Sequence, residues 1–85
     1  AALPPAVAAE LDDAEKALDA GNASDAVRLA RHSFLSQTSA RGYSIITRAF
    51  CHERDLGNAK ANFTHVGGDR ARVVRACKQS GIDLP

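Results

Sequence analysis

Helical periodicity in this chain comes in short pieces. Val7, Leu11, Ala14 and Leu18 recur at the spacing of one helix face, and Gly21 stops the run. Ala26, Leu29, Ala30, Ser33 and Phe34 form a second stripe after Asn22 or Ser24 as a capping residue, while Arg28, Arg31 and His32 lean outward. The polar stretch Ser36-Gln37-Thr38-Ser39 breaks the pattern. Tyr43, Ile46, Ala49 and Phe50 resume it on one face until about Glu53-Arg54. Asp55 caps a fourth run that carries Ala59, Phe63 and Val66 and ends at Gly67-Gly68. Asp69 caps a fifth, with Val73, Val74 and Cys77 inward, closed by Gly81, beyond which Ile82 folds back as the apolar partner of the stop. No segment alternates as a strand does. Helices this short are marginal alone and hold only if each buries its stripe against another. Short connections make neighbours antiparallel. The expected fold is therefore all-α.

An 85-residue chain is one domain, 1–85, and buries only roughly 60–65% of its unfolded surface. That leaves little depth for a catalytic pocket beneath a complete core. Ala1-Ala2-Leu3-Pro4-Pro5 holds a proline pair suited to the end of a linker, and Pro4 or Pro5 also fits a first helical turn. With no methionine in the chain, it reads as a segment of a longer protein, 1–5 being a linker remnant. No run approaches the roughly 18 apolar residues of a membrane span. No secretory signal pattern is visible, and the expected setting is cytoplasmic. Cys51 and Cys77 are too few for a disulfide framework. They read most simply as small, reduced core residues, with a bridge left open because sequence does not place the two sulfurs together.

Spacing at longer range points to a repeat. Tyr43-x-x-Ile46-Thr47-x-x-Phe50 is followed by Ala59-x-x-x-Phe63, with Asp55-Leu56 at the turn between. An offset of 33 residues carries Ala59 onto Ala26, Phe63 onto Ala30, Thr47 onto Ala14, and Arg54-Asp55 onto Gly21-Asn22. This pattern resembles the tetratricopeptide repeat, over most of the chain from about Ala8 to Val66. Glu10 and Asp13 depart from it where large apolar residues belong, and Thr38 and Ala71 stand in place of the terminal proline. The resemblance implies two tetratricopeptide-like hairpins, 6–35 and 40–67, and a capping helix at 69–80, together a fragment of a right-handed α-solenoid. Stacked hairpins of this kind share one continuous core.

The residues capable of chemistry are dispersed. His32, His52 and His65 have neither zinc-finger nor His-x-x-x-His spacing, and adjacent Cys51 and His52 point different ways on a helix. Ser33, Ser36, Ser39 and Ser44 lack a nucleophile-elbow context, and Gly67-Gly68-Asp69 lacks the ending of a phosphate loop. Asp12, Asp13 and Glu15 read as a solvated acidic face near a helix N-terminus. No catalytic residue, cofactor or metal site is expected. Charge is polarised: residues 1–25 hold six acids against Lys16, a net −5, and the remaining residues ten bases against four acids, a net +6.

By the same resemblance, the inner face of the third helix shows Arg41, Ser44, Arg48 and His52, and the last helix adds Arg75 and Lys78. Such a wall suits an acidic or phosphorylated peptide, because Arg grips carboxylate and phosphate through two N–H groups. The plainer reading of these arginines as solubilising surface stays open. The expected function is a non-catalytic protein–protein interaction module. Arg48-Ala49-Phe50-Cys51 and Asp55-Leu56-Gly57-Asn58-Ala59 also resemble helical tails of bacterial Ser/Thr protein kinases, which implies the alternative of a regulatory or oligomerising piece docked on its parent chain. Nucleic acid is not expected, since the acidic first helix repels phosphates.

Overall fold

The computed structural model describes residues 2–85, and among them every regular element is helical. Five α-helices follow one another: α1 (Pro5–Asp19), α2 (Ala23–Ser33), α3 (Ala40–His52), α4 (Leu56–Phe63) and α5 (Arg70–Gln79), with a single 3-10 turn, Gly67–Asp69, before the last. Pro5 opens α1, where its missing N–H leaves no bond unmade. Leu3, within the stretch read as a linker remnant, packs against the core.

Three of the five helices, α1, α3 and α5, share one closure. Gly21 stands at φ 83° after α1, Arg54 at φ 59° after α3 and Gly81 at φ 80° after α5. Behind each, an amide reaches back five residues: Asn22 to the Ala17 carbonyl, Asp55 to Phe50 and Ile82 to Cys77. Gly21 and Arg54 are 33 residues apart, so the sequence offset reappears as backbone geometry. Arginine occupies a left-handed position that glycine takes at the other two turns.

The capping residues divide by what their side chains do. Ser39 Oγ accepts the Gly42 amide at 3.0 Å, and the Asp55 carboxylate accepts the Asn58 amide at 3.2 Å. Asn22 precedes α2 and Asp69 precedes α5, but neither side chain caps its helix. Asp69 is engaged elsewhere, by Ser44.

Two apolar clusters fill the interior. Val7, Leu11 and Ala14 of α1 meet Ala23, Ala26, Val27 and Ala30 of α2 and Ile45, Ile46 and Ala49 of α3. Cys51, Ala59, Phe63, Val66, Val73, Cys77, Ile82 and Leu84 form the second, and Phe50 packs against both. The alanines of α2 let α1 and α3 approach closely, as alanine does wherever helices pack. Helix α3 is the centre of the molecule. Gly42, Ser44, Ile45, Ile46, Thr47, Arg48, Ala49 and Cys51 are all buried, so α3 has neighbours on most sides, not one inner face as its periodicity predicts. It packs along α2 and α4, and also against α1 and α5.

Cys51 and Cys77 are joined by a disulfide that ties α3 to α5 across 26 residues of sequence. This corrects the simpler expectation of two reduced core thiols. Both residues do lie in the core, at 0% exposure, but two helices distant in sequence bring their Cα atoms to 5.1 Å.

Candidate functional site

The inner face expected to bind a partner is organised around Arg48. This residue is buried in the middle of α3. Its Nε donates to the Ser44 carbonyl at 3.2 Å and to Ser44 Oγ at 3.3 Å, and its Nη2 donates to Glu15 Oε1 of α1 at 2.7 Å. Glu15 also accepts from Arg72 of α5, through its other oxygen, at 3.3 Å. Ser44 Oγ donates to Asp69, just before α5. One polar network thus runs through α1, α3 and α5. A buried guanidinium needs a carboxylate close by, since an unpaired charge in a core is strongly destabilising.

The other predicted residues separate from this centre. Arg41 is half-buried and donates to Asp12 of α1 at 2.7 Å, so its charge is already answered. Ser44 is fully buried and presents nothing to a ligand. His52 is exposed at the end of α3. Arg75 and Lys78 are exposed on α5 and make no ion pair among the described residues. The buried residues of α5 are Val73 and Cys77, and Arg75 leaves the helix on nearly the opposite side. The continuous basic wall is therefore not formed. Its arginines on α3 are neutralised by α1, and Arg75 and Lys78 turn away.

Part of the charge polarisation of the sequence is taken up in the same way. Glu10 meets His32 of α2 at 2.6 Å, Asp12 meets Arg41, and Glu15 meets Arg48 and Arg72. Three acids of α1 thereby reach three other helices. Glu15 and Arg48 stand 33 residues apart in the chain, and the packing of α1 on α3 brings their opposite charges together.

A hollow of about 200 Å3 remains where α1, α3 and α5 converge. It is lined by Leu18, Asp19, Arg48, His52, Ala76, Gln79 and Ser80. Of the predicted residues, only Arg48 and His52 reach it. Arg48 Nη1 makes no hydrogen bond among the described residues, and its guanidinium is held from the other edge by Glu15 and Ser44. Asp19 gives the same hollow an acidic rim. Gln79 and Ser80 add neutral donors and acceptors, and neither was singled out by charge or spacing.

The remaining chemical groups are engaged locally. Ser33 Oγ donates to the Ala30 carbonyl at 2.6 Å, and Thr47 Oγ1 to the Tyr43 carbonyl at 2.8 Å. His65 stacks on Tyr43, which stacks in turn on Phe34, each with ring centroids 4.7 Å apart. Among the described residues, no three of His, Cys, Asp and Glu come together as metal ligands. No helix among the described residues is long and apolar enough to cross a membrane. Asp55 titrates below the usual carboxylate range, because the Asn58 side chain and then the Asn58 amide hydrogen-bond to its carboxylate, opposed weakly by burial. Comparison with protein families, with curated proteins and with solved structures found no match to the chain.

Proposed function

We propose that this chain is a non-catalytic protein-interaction module, and that the hollow between α1, α3 and α5 receives one acidic side chain of a peptide or partner domain. The observation that carries this reading is the state of Arg48. Its guanidinium is fixed in place by Glu15 and Ser44, it borders an open hollow, and one of its nitrogens has no protein partner. A fixed guanidinium loses little freedom on binding and offers N–H groups to a carboxylate. His52, Gln79 and Ser80 lie within the same hollow as further polar contacts. Asp19 and Glu15 stand close to a bound anion, which favours a single carboxylate over a phosphate with its larger negative charge. Asp19 suits an amide or a cation on the same peptide, so the ligand carries mixed charge.

Amide NMR of the chain titrated with a synthetic peptide containing one Glu tests this. Shifts at Asp19, Arg48, Gln79 and Ser80 are expected, and His52→Glu or Gln79→Glu should abolish them by charge repulsion at exposed positions that the core does not need. A folded chain whose hollow amides stay still at millimolar peptide would sink the reading.

The disulfide bears on where such a module works. Disulfides persist in oxidising compartments and are rare among cytosolic proteins of mesophiles. We propose an oxidising setting for this chain, in place of the cytoplasmic one expected from sequence.

A further inference from the structure

Phe50 stands two residues on from Arg48 and leaves α3 on nearly the opposite side. There a second concavity, about 450 Å3, opens between α2 and the last turn of α3. Ser24, Val27, Arg28, Arg31, Phe50 and Glu53 line it. Its size is that of a ligand pocket. Its floor is apolar: Val27 is buried, and Phe50 is only half-buried although it packs against both core clusters. An apolar side chain laid there removes ring surface from water that internal packing leaves exposed.

Arg28 and Arg31 are exposed and one helical turn apart on α2. The Arg31 guanidinium lies 5.6 Å from the centre of the Phe50 ring and has no carboxylate partner among the described residues. A guanidinium resting on a ring keeps its N–H edge available, and it has already lost part of its rotamer freedom. Arg28 meets Asp25 at 3.5 Å, with both side chains more than half exposed. Such a pair contributes little, and a better-placed carboxylate replaces it. Glu53, at the opposite rim, repels an acid placed there and confines negative charge to the α2 side.

From this arrangement we infer that the α2–α3 groove docks a segment of a partner protein that sets an apolar side chain on Phe50 and Val27 and a carboxylate, one helical turn away, on Arg28 and Arg31. The inference rests on reading the chain as an interaction module, but it uses a face and residues distinct from the hollow.

The test is an amide NMR titration of the intact, oxidised chain with two synthetic helical peptides. One carries a Leu-x-x-Glu pair, and the other has Lys in place of that Glu. The Glu peptide is expected to shift the amides of Ser24, Val27, Arg28, Arg31 and Glu53. The Lys peptide should bind roughly tenfold or more weakly, as expected from losing a charge-assisted hydrogen bond. Arg31→Glu should weaken the Glu peptide by a similar factor, while Arg75→Glu, a charge reversal outside the groove, leaves it unchanged. Circular dichroism checks that each variant keeps its helix content. Equal binding of both peptides, or no shift at millimolar Glu peptide, overturns the inference. Groove shifts that grow with protein concentration alone overturn it too, since a second copy would then fill the groove. Shifts confined to Asp19, Gln79 and Ser80 uphold the hollow and remove the groove, and the reverse pattern removes the hollow alone.

Discussion

Removing the bond between Cys51 and Cys77 tests the largest single constraint on this fold. The bridge closes a loop across 26 residues of sequence. In the chain-entropy treatment, opening a loop of that length returns about 12 cal/mol/K to the unfolded chain, or about 3.5 kcal/mol at 25 °C. A chain of 85 residues has a total stability of roughly 4–13 kcal/mol at the usual per-residue values. The bridge therefore accounts for a quarter or more of the whole. At roughly 4–8 °C per kcal/mol for a domain this small, the midpoint of thermal unfolding should fall by about 14–28 °C. The assay is urea unfolding followed by circular dichroism, comparing the oxidised chain, the chain reduced with a phosphine, and the Cys51→Ala/Cys77→Ala double variant. Reduced and double-variant chains should agree with each other and lie well below the oxidised one. Helix α5 and the tail through Leu84 should lose protection from hydrogen exchange first, because beyond the bridge they are held only by one small apolar cluster and exposed polar contacts. Midpoints that coincide for all three samples would refute the reasoning. Two titratable thiols in the denatured, unreduced chain would show that the bridge does not form in solution.

Three further predictions concern single positions. Glu15→Ala leaves the buried Arg48 guanidinium without its carboxylate and should destabilise the chain by about 3 kcal/mol, whereas Glu15→Ala in an Arg48→Leu background should cost much less; a double-mutant cycle in urea measures the difference. Gly42→Ala places a Cβ 2.4 Å from Phe34 Cε1 and should destabilise by about 1–3 kcal/mol, with Phe34→Leu in the same chain recovering part of the loss. The Asp55 carboxyl, with its pKa lowered in the folded state, contributes stability that is present above the ordinary carboxylate pKa and is lost as pH falls through its own lower value. Stability measured on descending pH should thus show an acid loss that Asp55→Asn reduces, since Asn caps a helix without titrating.

The all-helical fold was legible from local chemistry alone. Gly21, Gly81, Asp55 and the apolar stripes act within a turn or two of themselves, so residue order is enough to read them. The closure at Arg54 was legible only through the 33-residue offset, because arginine does not announce a left-handed turn. Asp69 was misread for a related reason. A residue before a helix is a cap by default, and only the approach of Ser44, from 25 residues earlier, gives its carboxylate another donor.

The candidate site was much less legible. The tetratricopeptide resemblance implied a wall of Arg41, Ser44 and Arg48, and they do share a side of α3. What α1 and α5 bring to that side depends on packing between helices far apart in sequence. Glu15 and Asp69 arrive there in a part-buried polar network, and Asp12 pairs with Arg41 at the surface, so no basic wall is left. By itself, the sequence determined how many helices form, most of their ends and which stripes must be buried, since these follow from short-range sterics and hydrophobicity; α4 is the exception, stopping at Phe63 instead of running through Val66 to Gly67. Only the tertiary structure decided that α3 is surrounded, that Cys51 meets Cys77, and which arginines keep a free edge, because each depends on which side chains are brought within a few ångströms.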